Sequence, residues 1–184
     1  MYRAVRPRWE RFVLRGAVGA GLLICDSVRP AVIDAVVSDT KADGVHFCNC
    51  EEPEARGIRT NNTGDDGLAF VNYGKQVALQ GGTAVDVVVL NSMARGVSVV
   101  GQANVQLTNL YIENTTHSGL YVAHEVYYDT RVPNRVRISE AMLRYAGAWN
   151  CSAVDPTNGN CFKVSSARDP AVGVHNVGSV TLTG

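Results

Sequence analysis

Short apolar alternations recur along this chain at a nearly constant interval. Leu22/Ile24, Val45/Phe47, Leu68/Phe70, Val97/Val99 and Leu120/Val122 each read apolar, any, apolar, and each follows a glycine: Gly21, Gly44, Gly67, Gly96 and Gly119. Asn150 and Gly173 extend the same slot, with spacings of 23, 23, 29, 23, 31 and 23 residues. A period of two predicts short strands with one face inward. Further strands are predicted upstream of the glycines, at Val32/Ile33, Val87/Val89, Val105/Leu107, Val136/Ile138 and Val180/Leu182.

The polar positions repeat as well. Asp39, Asn62, Asn91 and Asn114 share one column, and Thr40, Thr63, Ser92 and Thr115 the next. Stacked Asn and Thr side chains can pass hydrogen bonds from coil to coil. Two or three short strands per 23 residues, without a helical period, predict an all-β solenoid. The class is a right-handed parallel β-helix of about seven coils in one chain. The longer spacings predict loops that bulge at 72–82 and 124–134, where a rigid solenoid builds binding walls. Residues 15–184 are predicted to be the β-helix, incomplete or continued beyond Gly184, with 1–14 as an N-terminal segment that could cap it. An open end implies self-association as one outcome.

With 184 residues, 46% of them apolar, the chain can bury the core of one domain. A net charge of zero argues against a nucleic-acid partner and does not favour a polyanionic substrate. No apolar run reaches 18 residues, so no membrane partner is expected. Arg3, Arg6, Arg8, Arg11 and Arg15 precede an apolar stretch at 16–25, loosely like a leader, but its glycines and fit to the repeat favour folded structure. Cys25 and Cys48 stand one repeat apart, within disulfide reach if stacked, and Cys151 and Cys161 bracket a turn-rich insertion. Disulfides would suit a secreted or cell-surface protein, and free thiols are the plain alternative.

Stacking the coils gathers carboxylates. Asp43, Asp66, Arg95 and Ser118 precede successive glycines; Ala42, Asp65, Ala94 and His117 lie one position earlier. Leu23, His46, Ala69, Ser98 and Tyr121 form the outward column of the following strand. Asp43, His46, Asp65, Asp66, Arg95, His117 and Tyr121 therefore fall on one polar strip. Like charges about 5 Å apart resist joint ionisation, so one carboxyl keeps its proton and the others can hold a water. One acid and one base with water between them is the arrangement of an inverting glycosidase.

The pair of motifs Asp43-Gly44 and Asp65-Asp66 resembles the catalytic signature of polygalacturonase-type β-helix glycoside hydrolases. The wording Ala42-Asp43-Gly44-Val45-His46-Phe47 with Asn62-Thr63-Gly64-Asp65-Asp66-Gly67-Leu68-Ala69 is more similar to bacterial α-1,3-glucanases and mycodextranases on the pectin-lyase-like fold. The Gly-His-Gly and Arg-Ile-Lys motifs of polygalacturonases are replaced by Ala94-Arg95-Gly96 and Tyr121-Val122-Ala123, which argues against galacturonate. The resemblance implies Asp65 as general acid, Asp43 and Asp66 on the base side, and no cofactor. His46, Arg95, His117 and Tyr121 are then candidates for substrate binding.

Two other readings fit the same residues. In a polysaccharide lyase the three Asp would hold Ca²⁺ and Arg95 would act as base. A non-catalytic glycan-binding or assembly β-helix, or an inactive fragment, would need only the scaffold.

Overall fold

A computed structural model describes residues 3–74, 80–147, 151–154, 161–164, 172–175 and 177–184, with backbone alone for 151–154, 161–164 and 175. The chain winds as a right-handed parallel β-helix. One sheet runs β1 (Arg8–Arg15), β3 (Ala31–Thr40), β5 (Glu54–Thr63), β7 (Gln80–Ser92), β9 (Ala103–Thr115), β11 (Val136–Ala146) and β15 (Val180–Thr183). The other runs β2 (Leu22–Cys25), β4 (Val45–Cys48), β6 (Leu68–Val71), β8 (Val97–Val100), β10 (Leu120–Ala123) and β14 (Val172–His175). Between β11 and β14, β12 (Cys151–Val154) and β13 (Cys161–Val164) form an antiparallel pair. The only helical piece among the described residues is the 3₁₀ turn Val126–Tyr128.

The glycine register is real through the first five slots. Leu22 pairs with Val45, Val45 with Leu68, Leu68 with Val97 and Val97 with Leu120. Close approach explains the glycines: a Cβ on Gly44 would lie 2.5 Å from the carbonyl oxygen of Gly67, and one on Gly67 would lie 2.4 Å from Val89. Beyond Gly119 the expected slots do not continue. Leu120 pairs with Val172, which puts Gly173 opposite Tyr121, inside the strand. The β12–β13 insertion breaks the period there, and Asn150 lies outside the described residues.

Polar corners turn the coil. Gly16, Asp39, Asn62, Asn91, Asn114 and Tyr145 are left-handed, as are Arg11, Asp34, Gly57, Asp86, Asn109 and Glu140 in a second register column. Asn and Asp tolerate this conformation best among residues with a side chain, which accounts for the polar columns. The Asn column passes hydrogen bonds between coils: Asn62 donates to Asp39 (2.8 Å) and Asn114 to Asn91 (2.7 Å), although Asn91 donates to Asn61. The Thr column departs from expectation. Thr40, Thr63 and Thr115 donate within their own turns, to the carbonyls of Ala42, Asp65 and His117. Only Ser92 reaches back a coil, to the carbonyl of Asp65 (2.7 Å).

Phe47 and Phe70 stack at 5.3 Å inside the coil, where Leu68, Leu107, Leu110 and Ile112 are also buried. Two strands break the expected alternation. All residues of β6 and β8 are buried, because Ala69, Val71 and Val100 make a small outer cluster with Tyr73 and Tyr121. Val87 and Val89 pair with Leu110 and Ile112, further along the long strands than the expected Val105 and Leu107. Arg8–Arg15, placed in the expected cap, is the outermost strand of the long sheet, paired with β3, and Val5 bridges Val28. Cys25 and Cys48 are cross-strand partners and free thiols. The side chains of Cys151 and Cys161 lie outside the described residues.

Candidate active site

The turns that precede β4 and β6 carry the acids. Each turn is tied internally by its Thr hydroxyl, so the following Asp residues project from a fixed backbone. One carboxylate oxygen from each of Asp43, Asp65 and Asp66 lies within 4.8 Å of the others. Asp43 and Asp66 are buried, with 8% and 6% exposure, whereas Asp65 is open to solvent.

A hydrogen-bond relay fixes two of them. Asp43 Oδ1 accepts from the backbone N–H of Asp66 (3.0 Å), and Asp66 Oδ1 accepts from the backbone N–H of Arg95 (2.9 Å). The other oxygen of Asp43, Oδ2, lies 2.5 Å from His46 Nδ1. Burial pushes the Asp66 carboxyl up to about 7, an effect that Arg95 partly offsets. Burial and then the neighbouring Asp43 also raise Asp65. Burial works against the charge of Arg95, but Asp66 and Glu125 outweigh it and hold the guanidinium more firmly protonated than usual.

These groups face a cleft of about 150 Å³ lined by Asp43, His46, Asp65, Asp66, Tyr73, Arg95, Glu125 and Tyr128, among others. Five of the seven sequence-predicted site residues meet here. Tyr121 stands behind Arg95, whose guanidinium lies 4.3 Å over the ring, and does not line the cleft. His117 is half-buried in the turn before β10 and is likewise absent from the lining. Besides the apolar Ala69, Val71 and Val100 of the wall, three lining residues that could touch a ligand through polar groups were missed from sequence. Tyr73, Glu125 and Tyr128 come from the two predicted loops, which join through a Tyr73–Thr130 bridge and a Gly74 N–H to Asp129 carbonyl bond of 2.8 Å. Glu125 then sits 3.4 Å from Arg95. The loop lengths were the available signal; their pairing has no periodic trace.

Known structures share this architecture. The catalytic unit of a thermostable GH87 α-1,3-glucanase from Streptomyces thermodiastaticus strain HF3-3 superposes with a TM-score of 0.73 at 16% identity, over 98% of this chain and 34% of that one. The likeness is one of fold. A variant GH87 α-1,3-glucanase catalytic domain in complex with tetrasaccharides gives 0.67 at 16% identity, over 92% and 34%. The A-module of the mannuronan C-5 epimerase AlgE6 from Azotobacter vinelandii gives 0.58 at 13%, over 98% and 57%. The chain thus spans about a third of the length of the two glucanase structures. No protein-family model matches the sequence, and no curated protein sequence matches it.

The same carboxylates are the place where a cation would sit. Oxygens within 4.8 Å suit Ca²⁺, whose ligands lie about 2.3–2.6 Å from the ion. The fit is partial, because both oxygens of Asp43 and one of Asp66 already have partners.

Proposed function

We propose that this chain is a glycoside hydrolase acting on a neutral polysaccharide, an α-glucan, with Asp43, Asp65 and Asp66 as its catalytic acids. The observation that carries the reading is the meeting of three carboxyl groups in one cleft, where Asp65 as well as Asp66 is pushed up by burial and by its acidic neighbours. A carboxyl that keeps a proton near neutral pH is what general acid catalysis on a glycosidic oxygen requires. The three groups are close enough to titrate together, so one proton belongs to the cluster rather than to a single residue. Asp65, the exposed member, delivers that proton to the leaving oxygen, and Asp43 and Asp66 hold and deprotonate the water.

The inverting course follows from the resemblance in the Asp motifs and from the water-holding role given to Asp43 and Asp66. The nearest oxygens are closer than the usual separation of about 6.5–9.5 Å between inverting carboxyl groups. The water would therefore lie beside the pair, against Asp43 and Asp66. A glucan, rather than an acidic glycan, is supported by the zero net charge and by a cleft whose cation is already neutralised by Asp66 and Glu125. The resemblance in the Asp motifs and the fold likeness to α-1,3-glucanases agree with that choice. The localisation that goes with this reading is a secreted or cell-surface one.

The lyase reading loses its base, because the protonated Arg95 guanidinium is already shared by Asp66 and Glu125. The test is incubation with α-1,3-glucan, dextran and polygalacturonate, reading new reducing ends and their anomeric form by NMR. Inverted products from an α-glucan, abolished in Asp65→Asn and unaffected by chelator, are expected. Unsaturated products that disappear with chelator would replace this reading with the cation-dependent one.

A further inference from the structure

The 3₁₀ turn Val126–Tyr128 leaves three successive apolar side chains in water: Val126 is 74% exposed, Tyr127 90% and Tyr128 55%. Exposed apolar groups in a row are unusual at a loop tip and mark a surface meant to be covered. The turn is nonetheless firmly held. Tyr128 N–H donates to the Glu125 carbonyl (3.2 Å), Asp129 N–H to the Val126 carbonyl (3.0 Å), and the Glu125 N–H to Thr130 Oγ1 (2.8 Å). The Tyr73–Thr130 bridge ties it to the neighbouring loop. The rings are thus presented by a fixed backbone.

They also form a continuous path from the acids outward. His46, bonded to Asp43, stacks on Tyr73 at 6.1 Å; Tyr73 meets Tyr128 edge-on at 6.4 Å; Tyr128 meets Tyr127 at 5.0 Å and 90°. Flat aromatic faces suit the C–H faces of a pyranose ring, and Tyr supplies them at little entropic cost. Carboxylates at Glu125 and Asp65 line the cleft together with Tyr73 and Tyr128, so a neutral sugar is favoured over an acidic one.

From this we infer that the Val126–Tyr128 turn is a glycan-stacking platform, on which the exposed Tyr127 ring holds a pyranose unit of the polymer beyond those seated in the cleft. The inference rests on the polysaccharide reading of the cleft and adds a remote subsite to it. Binding energy gathered there would position long chains against the acids, which short oligomers could not exploit.

The experiment compares Tyr127→Ala and Tyr127→Phe with Tyr127 intact, all in the inactive Asp65→Asn protein. Calorimetric titration uses a disaccharide, a tetrasaccharide and an octasaccharide of α-1,3-, α-1,4- and α-1,6-linked glucose. Loss of this exposed side chain should leave folding intact. Tyr127→Ala is expected to weaken the octasaccharide about tenfold and leave the disaccharide unchanged, while Tyr127→Phe stays within about twofold. Equal affinities at every length, an equal loss at every length, or no binding of any oligomer would overturn the platform. Turnover by the wild-type protein is scored separately. Length-dependent loss without turnover keeps the platform and removes the hydrolase; turnover with an unchanged Tyr127→Ala does the reverse.

Discussion

Asp43 holds the backbone of Asp66: its Oδ1 accepts the Asp66 N–H at 3.0 Å, across 23 residues of sequence and one coil of the helix. The catalytic candidate is therefore also a structural acceptor for a buried donor. Two substitutions separate the roles. Asp43→Asn retains an oxygen for that N–H and should fold with near-normal stability but lose activity. Asp43→Ala leaves the N–H unpaired and should cost about 1–3 kcal/mol as well. Urea unfolding alongside reducing-end assays reads both; equal stability of the two variants would show that the bond is not supporting the turn.

Asp66 couples stability to pH in the opposite sense to most carboxylates. Its folded value of about 7 lies above the unfolded carboxylate range, so the native state binds the extra proton between about pH 4 and 7. The stability it contributes is full below about pH 4 and is lost as pH rises through 7, on the order of 4 kcal/mol at most. Asp66→Asn keeps an oxygen facing the Arg95 N–H and removes this penalty. It should raise the melting temperature at pH 8, flatten the dependence between pH 4 and 7, and abolish hydrolysis. Thermal scans across pH that leave the wild-type slope in place would contradict the assignment.

Arg95 restrains that proton. It lies 3.9 Å from Asp66, 3.4 Å from Glu125 and 4.3 Å over Tyr121, and its charge lowers the Asp66 value. Arg95→Met should let Asp66 stay protonated to higher pH, moving the acid limb of the rate profile upward, since Asp66 must ionise to act as base, while lowering the rate. An unshifted profile would reduce Arg95 to a packing role.

Gly67 sets the position of the acid beside it. A Cβ there would meet Val89 at 2.4 Å and the Gly96 carbonyl at 2.8 Å. Gly67→Ala should destabilise by about 1–3 kcal/mol through overpacking and reduce activity more than stability alone accounts for, since Asp66 must move with it. Calorimetric unfolding and rate measurements at a temperature where the variant is folded give the comparison.

The sequence by itself determined the winding and the acids. Each coil contacts mainly its neighbours, so the same local demands recur every repeat: glycine where carbonyls approach, Asn or Asp where the chain turns a corner, apolar residues inward. Those columns made Asp43, Asp65, Asp66, His46 and Arg95 neighbours on paper, and the register from Leu22 to Leu120 places them together. Tertiary structure alone decided what stands opposite. Tyr73, Glu125 and Tyr128 reach the cleft because two aperiodic loops, two coils apart, pair with each other, and no repeat constrains such a contact. Tertiary packing likewise decided where the period fails, because the β12–β13 insertion lets β10 pair with β14 in a register that no glycine marks.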